Sequence, residues 1–292
     1  MFNEKDMYKK IYEQEWPSLF DVEKTFAIDS IVTSDVFNNS MFVSLKAKDA
    51  IVDKFRNVVR QRPNVSTQDP DVRINIHIFK NTCTVSLDSS GNSLHQRGYR
   101  ILTNIAPINE VLAAGLLLMS GWDGQTNFLD PMCGSGTFLI EAAMIACNIP
   151  ANINRESYAF MHWKDYEPEL HQKIVEASLK RTREFHYKIL GYDKAPSAVR
   201  KSQENVEKAN LSEYITVERK DFFYTEKPMD GPLLMVFNPP YGERLPIDVD
   251  EFYAKIGDTL KQSYPGTKAW MITSNLEALK HVGLRPSQKI KA

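Results

Sequence analysis

The chain has 292 residues, of which 42% are hydrophobic, 25% charged and 11% aromatic, and 36 Lys and Arg face 37 Asp and Glu for a net charge of −1. A chain of this length buries roughly 75% of its unfolded surface and divides into about two domains, which excludes fibrous, disordered and disulfide-scaffold classes. The longest clearly apolar run, Val111 to Met119, falls far short of the roughly 20 residues of a membrane span. The first ten residues hold no apolar core for a secretion signal. Cys83, Cys133 and Cys147 form no CxxC pair, which fits reduced thiols in a cytoplasm. Charges of both signs nearly balance on either side of His95, so a nucleic-acid partner would be met by a local patch.

In chain order, residues 6–16 read as a short helix stopped by Pro17. Residues 24–36 mix β-branched and polar side chains with rough period two and read as a strand. Ser40 caps a helix over 41–61 that Pro63 ends. Residues 73–79 alternate strictly, with Ile74, Ile76 and Ile78 on one side and Asn75 and His77 on the other; Lys80 and Asn81 then turn the chain into a second strand over 83–87. This makes a small α+β domain of residues 1–95. Residues 89–105 are poor in apolar side chains, carry His95, Arg97 and Arg100, and read as an inter-domain connection.

From Pro107 the pattern changes. A helix over 107–120 leads to a strand ending at Asp130, a glycine turn and a helix over 137–147. After a long crossover with an extra helix (167–185) come strand 187–192, helix 196–209 and strand 214–219. Strand 233–237, helix 250–262 and strand 268–273 follow, and 289–291 read as the start of another strand. Strands alternating with such helices predict βαβ units and a mostly parallel sheet over 96–292.

Three acids stand at successive strand ends: Asp130, Asp193 and Asp221. Singly, each is as readily a solvated strand-end acid or a helix cap; together they mark the carboxyl edge of the sheet, where ligands bind. Between Asp130 and Thr137 the turn Pro131-Met132-Cys133-Gly134-Ser135-Gly136 brings backbone close to a ligand and offers free N–H groups at a helix start. It has no lysine for a nucleotide P-loop, and Leu139 stands where a dinucleotide fingerprint needs its third glycine. A cofactor without phosphate but with an amino-acid end fits better. Cys133 reads as a small packing residue, and the six histidines show no metal spacing, so no metal is predicted.

The fourth strand of this series ends in Asn238-Pro239-Pro240-Tyr241. Two prolines remove N–H donors and stiffen the turn, and Asn238 adds a side-chain carbonyl. Two acceptors aimed at one planar amine would grip both its hydrogens, and Tyr241 gives a flat face for an extruded base. The competing account is a rigid strand exit.

DPMCGSGT, GYDKAP, KDFF and NPPYGERL, in this order, resemble the class I S-adenosylmethionine-dependent amino-methyltransferases. LHQRGYR followed by IAPINEVLAAGLL is similar, more closely, to the ribosomal-RNA large-subunit guanine-N2 methyltransferases. These carry a THUMP domain ahead of the catalytic one and are often labelled N6-adenine-specific DNA methylases because of NPPY. The stretch RPNVSTQDPDVRINIHI resembles the THUMP portion, and residues 97–292 the catalytic portion.

The resemblance implies an α/β fold: a Rossmann-like, mostly parallel methyltransferase sheet in 96–292, without its last strand, after a THUMP-like α+β RNA-binding domain in 1–95, without a leading ferredoxin-like segment. It implies S-adenosyl-L-methionine as cofactor. Asp130, Pro131, Cys133, Gly134, Ser135, Gly136 and Thr137 would line its methionine and sulfonium end, with the 107–110 segment nearby. Asp193 with Lys194 would hold the ribose, and Asp221 with Phe222 the adenine. The catalytic segment would be Asn238, Pro239, Pro240 and Tyr241. Arg97, Tyr99, Arg100 and Arg244 would contact structured RNA, taken as large-subunit ribosomal RNA; an exposed charge cluster accounts for the first three equally well. A DNA adenine-N6 methyltransferase and a non-catalytic RNA-binding module are the alternatives.

Overall fold

The computed structural model describes residues 3–100, 108–240 and 248–290. The chain divides into two compact units, Met1–Leu94 with Glu156–Ile174, and His95–Arg155 with Val175–Ala292.

In the first unit, α1 (Glu4–Tyr12) starts behind Asn3, whose side chain accepts the Asp6 amide at 2.9 Å. Pro17 does not stop this helix. It sits in the first turn of α2 (Trp16–Leu19), where an absent N–H leaves no bond unmade. After β1 (Phe26–Thr33), α3 (Ser40–Val59) is capped by Asn39 rather than Ser40, the Asn39 side chain accepting the Phe42 amide at 3.0 Å. β2 (Val72–Phe79) pairs with β1 in parallel and with β3 (Thr82–Leu87) antiparallel. Ile74, Ile76 and Ile78 are fully buried in a core shared with Met7 and Ile11 of α1 and Ala47, Ile51 and Phe55 of α3.

The segment Glu156–Ile174, which the sequence places in the crossover of the second domain, belongs to the first unit. Its one-turn 3-10 helix (Ala159–His162) is tied there by the Phe160 amide on the Ser89 carbonyl (3.2 Å), and the Lys164 amide donates to the Leu19 carbonyl (3.1 Å).

The second unit begins with α4 (Glu110–Met119) and β4 (Asn127–Asp130), followed by α5 (Thr137–Ala146). The helix of the crossover, α6 (Pro168–Leu179), is shorter than predicted, and the division of the chain between the units falls within it, after Ile174. Then come β5 (Ile189–Asp193), α7 (Pro196–Lys208), β6 (Ile215–Arg219), β7 (Leu233–Phe237), α8 (Val249–Ser263) and β8 (Lys268–Met271). The strand order is β6-β5-β4-β7-β8, with every pairing parallel.

Such a sheet is covered on both faces, which is why β7 reads LLMVF without a polar residue and is buried throughout. The pleat sends Phe128, Leu234 and Val236 into one core and Leu129, Leu233, Met235 and Phe237 into the other. A 3-10 turn (Ala278–Val282) lies so close to α8 that a Cβ at Gly257 would stand 1.7 Å from the Val282 carbonyl oxygen. Residues 289 and 290, expected to open another strand, are in none. Among the described residues no helix is long and apolar enough to cross a membrane.

Candidate active site

From β4 the chain winds outward through β5 to β6, then returns to β7 on the other side of β4. The strand order therefore reverses at the β4–β7 pair, and a doubly wound sheet opens a crevice at the carboxyl end of such a pair. Leu129 lies opposite Met235, so β4 leaves the sheet at Asp130–Pro131 beside the exit of β7 at Phe237–Asn238. Adjacent strands run about 4.8 Å apart.

The turn after Asp130 is held by its own backbone. The Cys133 amide donates to the Tyr192 carbonyl (2.9 Å) and the Gly136 amide to the Cys133 carbonyl (2.8 Å). Gly134 (φ 56°) and Gly136 (φ 82°) are left-handed, and a Cβ at Gly136 would meet Ser202 Oγ of α7 at 2.3 Å. Asn205 Nδ2 of the same helix donates to the Ser135 carbonyl (3.0 Å).

Asp193 is joined to this turn: its Oδ2 accepts the Gly134 amide (3.1 Å) and its Oδ1 the Ala195 amide (2.9 Å). Its main-chain carbonyl accepts the Lys220 amide (3.1 Å), which brings in the Asp221 segment, where Asp221 Oδ1 accepts the Phe223 amide (3.1 Å). The structure thus gathers Asp130, Gly134, Asp193 and Asp221 along one sheet edge. Lys194 is exposed at its rim, while Pro131 and Cys133 are buried beneath the turn.

Asp130 is 2% exposed. Burial pushes its carboxyl well above the usual carboxylate range, the neighbouring Asp193 adds to the rise, and the Met132 amide (3.0 Å) pulls against it. Asp193 is also raised, first by burial, against the pull of its two amide donors. Burial raises the Cys133 thiol as well, which suits a packing residue and not a nucleophile. Burial disfavours the charge on both carboxyls, and a ligand that brings positive charge and hydroxyl donors relieves it, so the acceptor set fits a cationic amino-acid nucleoside.

Other expected residues are placed differently. Phe222 is 2% exposed and packs between Phe237 and Tyr264 in the core (ring centroids 6.0 and 5.5 Å), so it underlies the edge and presents no open face; the less buried ring of the pair is Phe223. Thr137 is buried and its Oγ1 accepts from Arg100 Nη2 at 2.8 Å. Pro239 is buried and Asn238 and Pro240 half-buried. Tyr241, Arg244 and Pro107 lie outside the described residues.

Arg97, Tyr99 and Arg100 are not a surface for phosphate. Glu141 stands in the middle of α5, where only Ile145 escapes full burial, and it is 1% exposed. An interior carboxylate requires donors. Arg97 Nε and Nη2 each donate to it at 3.3 Å, and the Tyr99 hydroxyl donates at 2.9 Å. Arg97 and Tyr99 are themselves buried. Arg100 pairs with Glu110 (3.0 Å) and also donates to the Ile108 carbonyl (2.9 Å), so it fastens the start of α4 to the first turn of α5, behind the glycine turn. The signal for this was in the sequence: one acid in the apolar run TFLIEAAMIA needs a cation from elsewhere. Among the described residues no three His, Cys, Asp or Glu side chains cluster as metal ligands would.

Two family models match the chain: the RMKL-like methyltransferase domain over residues 97–292 and the THUMP domain over residues 2–88. The Ribosomal RNA large subunit methyltransferase K/L of Shewanella amazonensis is 38% identical over 293 residues, and that of Cellvibrio japonicus 36% over 304. The two alignments take in 98% and 99% of this chain but 41% and 40% of those proteins, so the chain spans about two fifths of the length of the curated relatives it matches. A solved structure from Listeria monocytogenes, described as a predicted N6-adenine-specific DNA methylase, matches with a TM-score of 0.89 at 25% identity, covering 99% of this chain and 76% of that one. The SAH complex of SMU.472 matches with a TM-score of 0.86 at 26% identity, covering 98% and 76%.

Proposed function

The chain belongs to the RMKL-like methyltransferase family, with a THUMP domain ahead of the catalytic one, and from this we propose that it methylates the exocyclic amine of a nucleic-acid base, guanine N2 of large-subunit ribosomal RNA, in the cytoplasm. One observation carries the reading: Asn238 and Pro239 leave β7 beside the exit of β4, on the edge that holds Asp130, the glycine turn and Asp193.

S-adenosylmethionine, when bound there, supplies a methyl group already activated on a positively charged sulfur. Asp193 would hold the ribose hydroxyls through carboxylate lone pairs beyond those that take the Gly134 and Ala195 amides. Asp130 and the backbone of Gly134 and Gly136 would accommodate the amino-acid end, and Asp221 would accept from the adenine amine. Asn238 Oδ1 and the Pro239 carbonyl accept the two hydrogens of the base's amine, fix its plane and turn its lone pair toward the methyl group. Neither proline has an N–H that competes for that lone pair. No residue would need to act as a base before attack: the amine's lone pair would form the N–C bond as the C–S pair returns to sulfur, and the nitrogen, acidic once methylated, would then release its proton to water. Alignment of this kind supplies up to about 7–11 kcal/mol of barrier reduction.

The test is to incubate the chain with methyl-labelled S-adenosylmethionine and either deproteinised large-subunit ribosomal RNA or duplex DNA, then digest to nucleosides. Labelled N2-methylguanosine from the RNA is expected. N6-methyladenine from the DNA would replace this reading with the DNA methylase, and no transfer with no cofactor binding would leave an RNA-binding module.

A further inference from the structure

In the first unit, α1 and α3 cover the inner face of the β1-β2-β3 sheet, while the outer face is exposed along β2 at His77 and Phe79. His77 lies between Ile31 of β1 and Thr84 of β3, and Phe79 between Thr33 and Thr82. Phe79 is 51% exposed and Ile31 59%. Alternate residues of one strand point to the same face, so the pleat sets the two rings side by side. Their centroids are 6.5 Å apart and their planes differ by 23°. Lys80 Nζ lies 5.5 Å from the centre of the Phe79 ring. On this face Asp29 is held by Arg73 at 2.6 Å, and Asp88, opposite Arg73 across the β2–β3 ladder, accepts the Ser90 and Gly91 amides (2.8 and 3.1 Å). The face therefore offers two neighbouring aromatic rings, a cation close to one of them and strand hydroxyls, with Asp29 and Asp88 each engaged by groups of this chain.

Flat aromatic faces on an open sheet, bordered by a cation, suit unpaired bases, which any stacking platform can take through their own π faces. We infer that the outer face of the β1-β2-β3 sheet is a platform for single-stranded RNA, one base stacking on Phe79 and the next on His77, with Lys80 meeting the adjoining phosphate. The inference rests on the reading that the substrate is RNA, and it names the surface that holds an unpaired stretch of it. A duplex offers its bases only edge-on and is not expected to engage this face.

The experiment follows the anisotropy of a labelled, mixed-sequence single-stranded RNA titrated with the full chain, without cofactor. Each stacked base is worth a factor of about 5 to 150 in affinity, so Phe79→Ala and His77→Ala should each weaken binding by that much at unchanged Tm. Phe79→Tyr should bind as the wild type does, whereas Phe79→Leu, which keeps apolar area but not the π face, should not. Several results would overturn the inference: no binding by the wild type, unaltered affinity in Phe79→Ala, or wild-type affinity in Phe79→Leu. So would a wild-type dimer in sedimentation that Phe79→Ala dissociates, since a second copy would then occupy the face. Methyl transfer measured in parallel separates the two readings. Transfer to RNA with affinity indifferent to Phe79 sinks the platform alone; Phe79-dependent binding without any transfer sinks the transferase reading alone.

Discussion

Arg97→Ala distinguishes an interior ion pair from an RNA contact. The substitution leaves the Glu141 carboxylate, 1% exposed inside α5, with the Tyr99 hydroxyl as the partner that remains of the two described. Breaking a buried pair by removing one partner costs about 3–5 kcal/mol, because the other charge stays in the interior. In a unit of this size about 1 kcal/mol moves the midpoint by 2–4 °C, so Tm should fall by about 6–20 °C. The deficit depends on pH with a definite sign. Burial already raises the Glu141 carboxyl above its ordinary value, with Arg97 pulling it down. Loss of Arg97 lets it rise further. A group raised in the folded state favours folding below its unfolded pKa, and that contribution is lost as pH climbs through the folded value. Arg97→Ala should therefore be more damaging at pH 8 than at pH 5, and Arg97→Met with Glu141→Leu should recover most of the loss. Thermal unfolding at the two pH values, with RNA affinity measured alongside, checks this. An unchanged Tm together with weakened RNA binding would refute the reasoning and return Arg97 to the surface.

Asp130→Asn should stabilise the ligand-free protein, more at pH 8 than at pH 5, because it removes a carboxyl that burial raises; the same change should weaken S-adenosylmethionine about tenfold or more by calorimetry. A midpoint that drops at pH 8 would contradict it. Gly191→Ala would place a Cβ 2.3 Å from Leu139 Cδ1 and 3.2 Å from Cys133 Sγ. Overpacking there costs about 1–3 kcal/mol and pushes α5 and the glycine turn off β5, so both Tm and cofactor affinity should fall, and unaltered affinity would show that the turn does not shape the site.

Much of the fold was legible because its signals are local. The alternation of Ile74, Ile76 and Ile78 and the unbroken LLMVF reproduce the burial of β2 and β7 residue by residue. What escaped was decided at a distance. Pro17 suits a helix's first turn as well as a helix's end, and which of these it does depends on where Trp16 packs. The segment Glu156–Ile174 is claimed by Ser89 and Leu19 through main-chain bonds that no side-chain pattern announces. In the site, Asp130, Gly134, Asp193 and Asn238 could be placed from strand ends alone, since a parallel sheet delivers those ends to one edge. Arg97, Tyr99 and Arg100 could not, because basic residues in a polar stretch look exposed until the buried acid on another helix is paired with them.

The role given to the exit of β7 is tested by Asn238→Ala. Single-turnover methyl transfer to ribosomal RNA should fall by at least about 100-fold, the scale of losing one preorganised hydrogen-bonding group, while calorimetry finds S-adenosylmethionine bound within about twofold of wild type. Transfer at the wild-type rate, or a parallel loss of transfer and cofactor binding, would contradict the assignment of Asn238 to the amine of the base.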